Sequence, residues 1–153
     1  MDAEHARTMA AQLHRGQLEE DGTPLLEHLA RVAAMVPGEA RAVAWLHEAL
    51  ASNVAEEDLL LAGLTYEELR ALRLLNLGNL WRSDRAYLWH LDLIARSAGW
   101  SGDLARIVRI ADLRDRCAHP AVRGSGWSPP YAQGLQRLTA TEPEYPGLAE
   151  AVG

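Results

Sequence analysis

Apolar residues recur along this chain at intervals of three and four, and no stretch alternates strictly between apolar and polar, so the pattern predicts helices and no half-buried strand. A first helix is expected from Ala3 to Arg15, ended by Gly16, which can take the left-handed conformation that closes helices. After the polar loop GQLEEDG, Thr23 is placed to cap a second helix with Pro24 at its first position. Leu25, Leu29, Val32, Ala33 and Val36 form its apolar face, and Pro37-Gly38 breaks it. An alanine-rich third helix, from about Glu39 to Ala51, carries Val43, Leu46, His47 and Leu50 on one side and reads as the central helix.

The second half repeats this logic. A short helix over Ala55–Ala62 stops at Gly63, and Thr65 with Glu68 makes a capping box for a helix over Tyr66–Leu75. NLGNLWRS reads as a loop. Ser83 caps a helix to about Ala98, closed by Gly99, and Ser101 caps another to about Cys117. HPAVRGSGW interrupts regular structure, and Ser128 with Pro129 opens a last helix to about Ala140. The expected fold is all-α, a bundle of seven to nine helices, with a domain over residues 1–140 and a loose tail over 141–153.

Composition narrows the class. A chain of 153 residues is the size of one domain and can bury a sizeable core without disulfides. No apolar run approaches the roughly 18 residues that span a bilayer, and the acidic opening, MDAEHARTMAAQLHRG, lacks the basic start of a secretory signal. A cytoplasmic location with no membrane partner is expected. The net charge of −6 argues against a nucleic-acid surface, so an anionic ligand would need a local basic patch. All fifteen basic residues are arginine and phenylalanine is absent, a bias attributable to a GC-rich genome. The single cysteine, Cys117, is expected to be a buried or half-buried apolar residue, and the five tryptophans to fill the core where phenylalanine is missing. Trp81 and Trp127 fall in loops where either could instead stack on a base or a partner chain.

Four side chains far apart in sequence carry the candidate chemistry: His28, the adjacent pair His47-Glu48, and Asp112. Two imidazoles and two carboxylates brought together by helices suit a divalent cation. Each also has a simpler reading, with His28 half-exposed beside Glu27 and His47 satisfied by core hydrogen bonds. Asp112 interrupts the apolar run of RIVRIADLRDR, and a buried carboxylate must be paired or bound to metal, Arg109 and Arg116 being the alternative partners. Arg106, Arg109, Arg114, Arg116 and Arg123 can receive a phosphate or simply pair with Asp103, Asp112 and Asp115. Tyr87 is placed to line a pocket, with His90 on the same helix, while His5, His14 and His119 read as surface residues.

Three segments, in order, carry a family resemblance. LHRGQLEEDGTPLLEHLARVA resembles the opening of the hydrolase domain of RelA/SpoT-type alarmone enzymes, WLHEAL the helix with its His-Asp pair, and RIVRIADLRDR the segment with its last aspartate ligand. The resemblance covers about His14 to Leu138. It implies an all-helical domain of the HD superfamily that uses a divalent metal, usually manganese, to hydrolyse the 3′-diphosphate of guanosine tetra- or pentaphosphate. The implied metal ligands are His28, His47, Glu48 and Asp112. Arg109, Arg116, Tyr87 and His14 are the candidate substrate contacts, His14 by its match to the family's segment before Gly-Gln.

The departures from the family concentrate on the substrate side. The usual aspartate beside the ligand histidine is Glu48, and the acid pair expected to orient the attacking water falls on Ala51 and Ser52. Glu19 stands where a basic residue is expected, Leu25 where an aromatic is, and Arg116 where an asparagine is. Two functions therefore follow as expectations. One is a metal-dependent phosphohydrolase acting on a nucleotide or related phosphorylated small molecule; the other is a catalytically degenerate domain that binds a nucleotide or a protein partner without turnover.

Overall fold

Twelve residues of a single helix are buried, and the rest of the bundle packs around it. In a computed structural model, which describes residues 1–76, 82–120 and 127–140, the described residues form eight α-helices and no strand. They are α1 (Ala3–Leu13), α2 (Leu25–Met35), α3 (Arg41–Leu46), α4 (Glu56–Leu61), α5 (Tyr66–Leu75), α6 (Asp84–Arg96), α7 (Gly99–Ala118) and α8 (Tyr131–Ala140). Helix α7 contacts α2, α3, α5, α6 and α8, while α3 packs on α1 and α2. The central position thus belongs to α7. The helix expected over Glu39–Ala51 is divided instead into a 3-10 turn at Gly38–Ala40, the short α3, and a second 3-10 turn at Ala49–Ser52.

Local rules account for most boundaries and miss a few. At α5 the capping box forms as expected: Thr65 Oγ1 accepts the Glu68 N–H at 3.1 Å, and Glu68 Oε2 accepts the Thr65 N–H at 2.8 Å. Ser83 caps α6 through the Ala86 N–H. Thr23 does not cap α2, because its hydroxyl turns back to Asp21 Oδ1 at 2.6 Å and Pro24 becomes the cap. Ser101 lies inside α7, which begins two residues earlier at Gly99. α8 starts at Tyr131, where the Gly134 N–H is the donor to Pro130.

The core is made of leucine, valine and alanine. Leu29, Val32, Val43, Leu46, Leu104, Val108 and Leu113 are fully enclosed, and Ala6, Ala10, Ala42 and Ala44 let α1 and α3 approach closely. Tryptophan does not take the role of phenylalanine: Trp89 and Trp100 are exposed, while Trp45 and Trp127 are half-buried against the core. Trp127 donates its indole N–H to Asp84 and meets Tyr87 edge-on. Cys117 is also exposed, contrary to expectation, because it lies on the outer face of the last turn of α7. Trp81, Arg123 and the tail over 141–153 lie outside the described residues, and no described helix is long and apolar enough to cross a membrane.

Candidate metal centre

Three helices deliver the candidate ligands. Helix α2 presents His28 on its inward face, and α7 presents Asp112 on the face that also carries Val108 and Asp115. His47 is the residue at which α3 ends, and Glu48 enters the 3-10 turn with φ −99° and ψ −1°. The loosened geometry lets His47 Nδ1 reach back to the carbonyl of Ala44 at 2.6 Å.

His28, His47 and Asp112 are all buried, and one ligand atom from each falls in a group in which all lie within 4.8 Å of one another. His28 Nε2 is 3.0 Å from Asp112 Oδ1, and His47 Nε2 is 3.7 Å from the same oxygen. The two imidazoles meet edge to face with centroids 5.5 Å apart.

The second nitrogen of each ring decides what these atoms can be. A carbonyl only accepts, so His47 Nδ1 must carry the proton it donates to Ala44. His28 Nδ1 donates likewise to Asp115 Oδ2 at 2.6 Å, and Arg31 holds both oxygens of Asp115 from the other side, at 2.7 and 3.1 Å. In the neutral rings both Nε2 atoms then carry lone pairs. Asp112 Oδ2 is taken by Arg109 Nη1 at 2.6 Å, which leaves Oδ1. His28 Nε2, His47 Nε2 and Asp112 Oδ1 are accordingly buried without a hydrogen-bond partner.

Three converging lone pairs repel one another unless a positive charge lies between them. A proton on a histidine is one solution and a divalent cation is another, and the donor set of two imidazoles and a carboxylate fits the cation. The site's electrostatics favour a positive charge within the group, as a proton or as a cation. Burial alone would raise the Asp112 carboxyl, but Arg109, His28 and His47 outweigh it and hold its pKa well below the usual range. Burial alone would depress the His47 imidazolium, yet Asp112 and Glu48 raise it above the ordinary histidine value.

The remaining candidates surround this group without joining it. Glu48 is half-exposed, its Oε1 3.8 Å from His47 Nε2 and 4.0 Å from Arg116 Nη2. Arg109 is buried and committed to Asp112 and to the Leu75 carbonyl, so it braces the site from behind. Arg116 binds Glu19 Oε1 at 2.9 Å and brings Nε to 3.6 Å from Asp112 Oδ1. Tyr87 is buried between Trp127 and Tyr131. His14 is not a surface residue: only 1% of it is exposed, its Nδ1 contacts Gln17 at 2.6 Å, and Ser52 Oγ lies 3.4 Å away. His5 and His119 are exposed as expected, Arg106 pairs with Asp103, and burial pushes His90 down to about 4.

No protein-family model matches the chain, and comparison with curated proteins found no significant relative. The site therefore stands on its own geometry. Within it, sequence reasoning overlooked Asp115 and Arg31, which fix His28. Both stand three residues beyond a ligand, at Asp112 and His28 respectively, and the i, i+3 relation on a helix was the available signal. The sequence offers Asp115 only as a pairing partner for arginine; it is 3% exposed and holds His28 as well.

Proposed function

We propose that this protein is a metal-dependent phosphohydrolase of the HD type, acting on a nucleotide or related phosphorylated small molecule. The observation that carries the reading is the buried convergence of His28 Nε2, His47 Nε2 and Asp112 Oδ1, each without a partner. By the resemblance to alarmone hydrolases the metal is manganese and Glu48 belongs to the site. When bound, such a cation supplies Lewis-acid activation of a phosphoryl group and of water. The chain's own residues hold and orient it: Asp115 and Ala44 fix the ring tautomers, and Arg109 keeps Asp112 ionised. Glu48, half-exposed beside His47, is the carboxylate positioned to accept a proton.

The test is a screen of the manganese-loaded protein against alarmones, nucleotides and simple phosphoesters beside a His47→Ala control. Turnover of one class, lost in the control, is the expected result; equal rates in both proteins across the panel reject the reading.

A second reading, binding without turnover, is favoured by the residues at the position of the family's acid pair. Ala51 is exposed and Ser52 faces His14, so neither offers a base. Stoichiometric metal and nucleotide binding with no hydrolysis would decide for it; where the wild type does turn over, loss of turnover in Glu48→Gln with metal content intact assigns Glu48 as the base.

A further inference from the structure

We propose that Glu19 tunes the charge of the anion this site accepts, weakening the binding of a phosphate dianion more than that of a monoanionic phosphate ester. The inference rests on the reading of the centre as a metal-dependent phosphate site and adds its ligand class. Arg116 is a half-buried arginine beside the ligand group, and its three nitrogens face three carboxylates. Nη1 binds Glu19 at 2.9 Å, Nε lies 3.6 Å from Asp112 Oδ1, and Nη2 lies 4.0 Å from Glu48 Oε1. Only the Glu19 contact is a hydrogen bond, so a phosphate that takes Nη1 displaces Glu19, and one that takes Nε or Nη2 binds beside it. Asp112 is a ligand and Glu48 adjoins His47, which leaves Glu19 as the carboxylate to displace.

Displacement does not remove its charge. The backbone of Glu19 is pinned in a short hairpin: its N–H donates to Thr23 O at 2.7 Å, its carbonyl accepts from Gly22 at 2.9 Å, and Leu18 bridges to Pro24. Only the side chain can swing, so the carboxylate stays within a side-chain length of Arg116. Glu19 also lines a cleft with Glu20, Asp21, Arg31, Asp115 and Arg116, on the Asp115 side of His28, where Glu20 and Asp21 add carboxylates to its own. The second arginine there, Arg31, is engaged by both oxygens of Asp115, so it offers no compensating charge. Repulsion from a fixed carboxylate scales with the charge of the ligand, which makes a dianion the more heavily disfavoured.

The experiment is calorimetric titration of the manganese-loaded full chain at pH 8 with dimethyl phosphate, a monoanion, and with orthophosphate, mainly a dianion, measuring metal content in every sample. Glu19→Gln should tighten orthophosphate about tenfold and dimethyl phosphate only about threefold, as expected when the energy gained is proportional to ligand charge. Glu19→Asp keeps the charge and should keep the wild-type ratio of affinities, and adding Arg116→Gln to Glu19→Gln should cancel the gain. With metal content intact, equal gains for both anions, or none, would overturn this inference alone. A wild-type protein that takes up no manganese would overturn it together with the phosphohydrolase reading.

Discussion

Asp115 grips Nδ1 of His28 at 2.6 Å, on the side of the ring opposite the nitrogen that faces Asp112. The contact fixes the tautomer and raises the basicity of the ligating nitrogen, the work that outer carboxylates do for metal-binding histidines. Asp115→Asn should therefore weaken manganese binding about 10- to 100-fold, the usual range for such partners. Arg114→Ala, on the exposed face of the same helix, should leave it unchanged. Calorimetric titration of both variants with manganese is the check, and equal affinities would mean that Asp115 serves Arg31 alone.

Asp112 has one oxygen for Arg109 and one for the ligand group. Asp112→Ala removes both contacts at once and strands a buried guanidinium, a defect of about 3–5 kcal/mol. The apo variant should melt well below wild type and show no rise with manganese. Wild type should bind one ion per chain and gain about 2.7 kcal/mol at a free metal concentration 100 times its dissociation constant. Melting curves with and without metal measure both.

The raised pKa of His47 gives apo and loaded protein opposite pH dependences. In the apo protein the protonated ring is stabilised by Asp112 and Glu48, so its contribution is fully present below the unfolded value and is lost as pH rises through the folded one. Metal must displace that proton, so binding strengthens over the same interval. As pH rises above the ordinary histidine value, the His47 contribution to apo stability should fall while the manganese-induced gain grows. In His47→Gln both slopes attributable to this ring should vanish.

Gly102 marks a close approach between the first turn of α7 and the segment before it. A Cβ there would sit 2.2 Å from the carbonyl oxygen of Ser97, a backbone atom that cannot rotate aside. Gly102→Ala should cost about 1–3 kcal/mol, as overpacking does. Chemical denaturation tests this, with Gly38→Ala, where the added methyl meets open space, as the comparison.

The helical fold was legible because amphipathic periodicity and local capping act within a few residues, as the box at Thr65 and Glu68 illustrates. Sequence erred where tertiary contacts overrode those signals. The alanines of the third segment read as a long helix, yet the chain unwinds at His47-Glu48 and at Ala49–Ser52. His28, His47 and Asp112 could be named from their types and order, because buried charge and imidazole are rare on apolar faces. Their convergence could not, and neither could the orientation of Glu48, since both depend on how α2, α3 and α7 cross. Exposure of Trp89 and Trp100 was hidden for the same reason: composition tells which large side chains exist and nothing about which way a helix is turned.

Arg109 donates to Asp112 through Nη1 and reaches 34 residues back along the chain to the last carbonyl of α5, at Leu75, through Nη2. A carbonyl at a helix end has no partner within its own helix, so the terminus of α5 is completed by a side chain whose position is set at the metal centre. Whatever pulls Asp112 forward draws on the same planar guanidinium that closes this helix. The carboxylate that gathers with His28 and His47 is thus tied, through one side chain, to the closure of a helix that carries no candidate ligand.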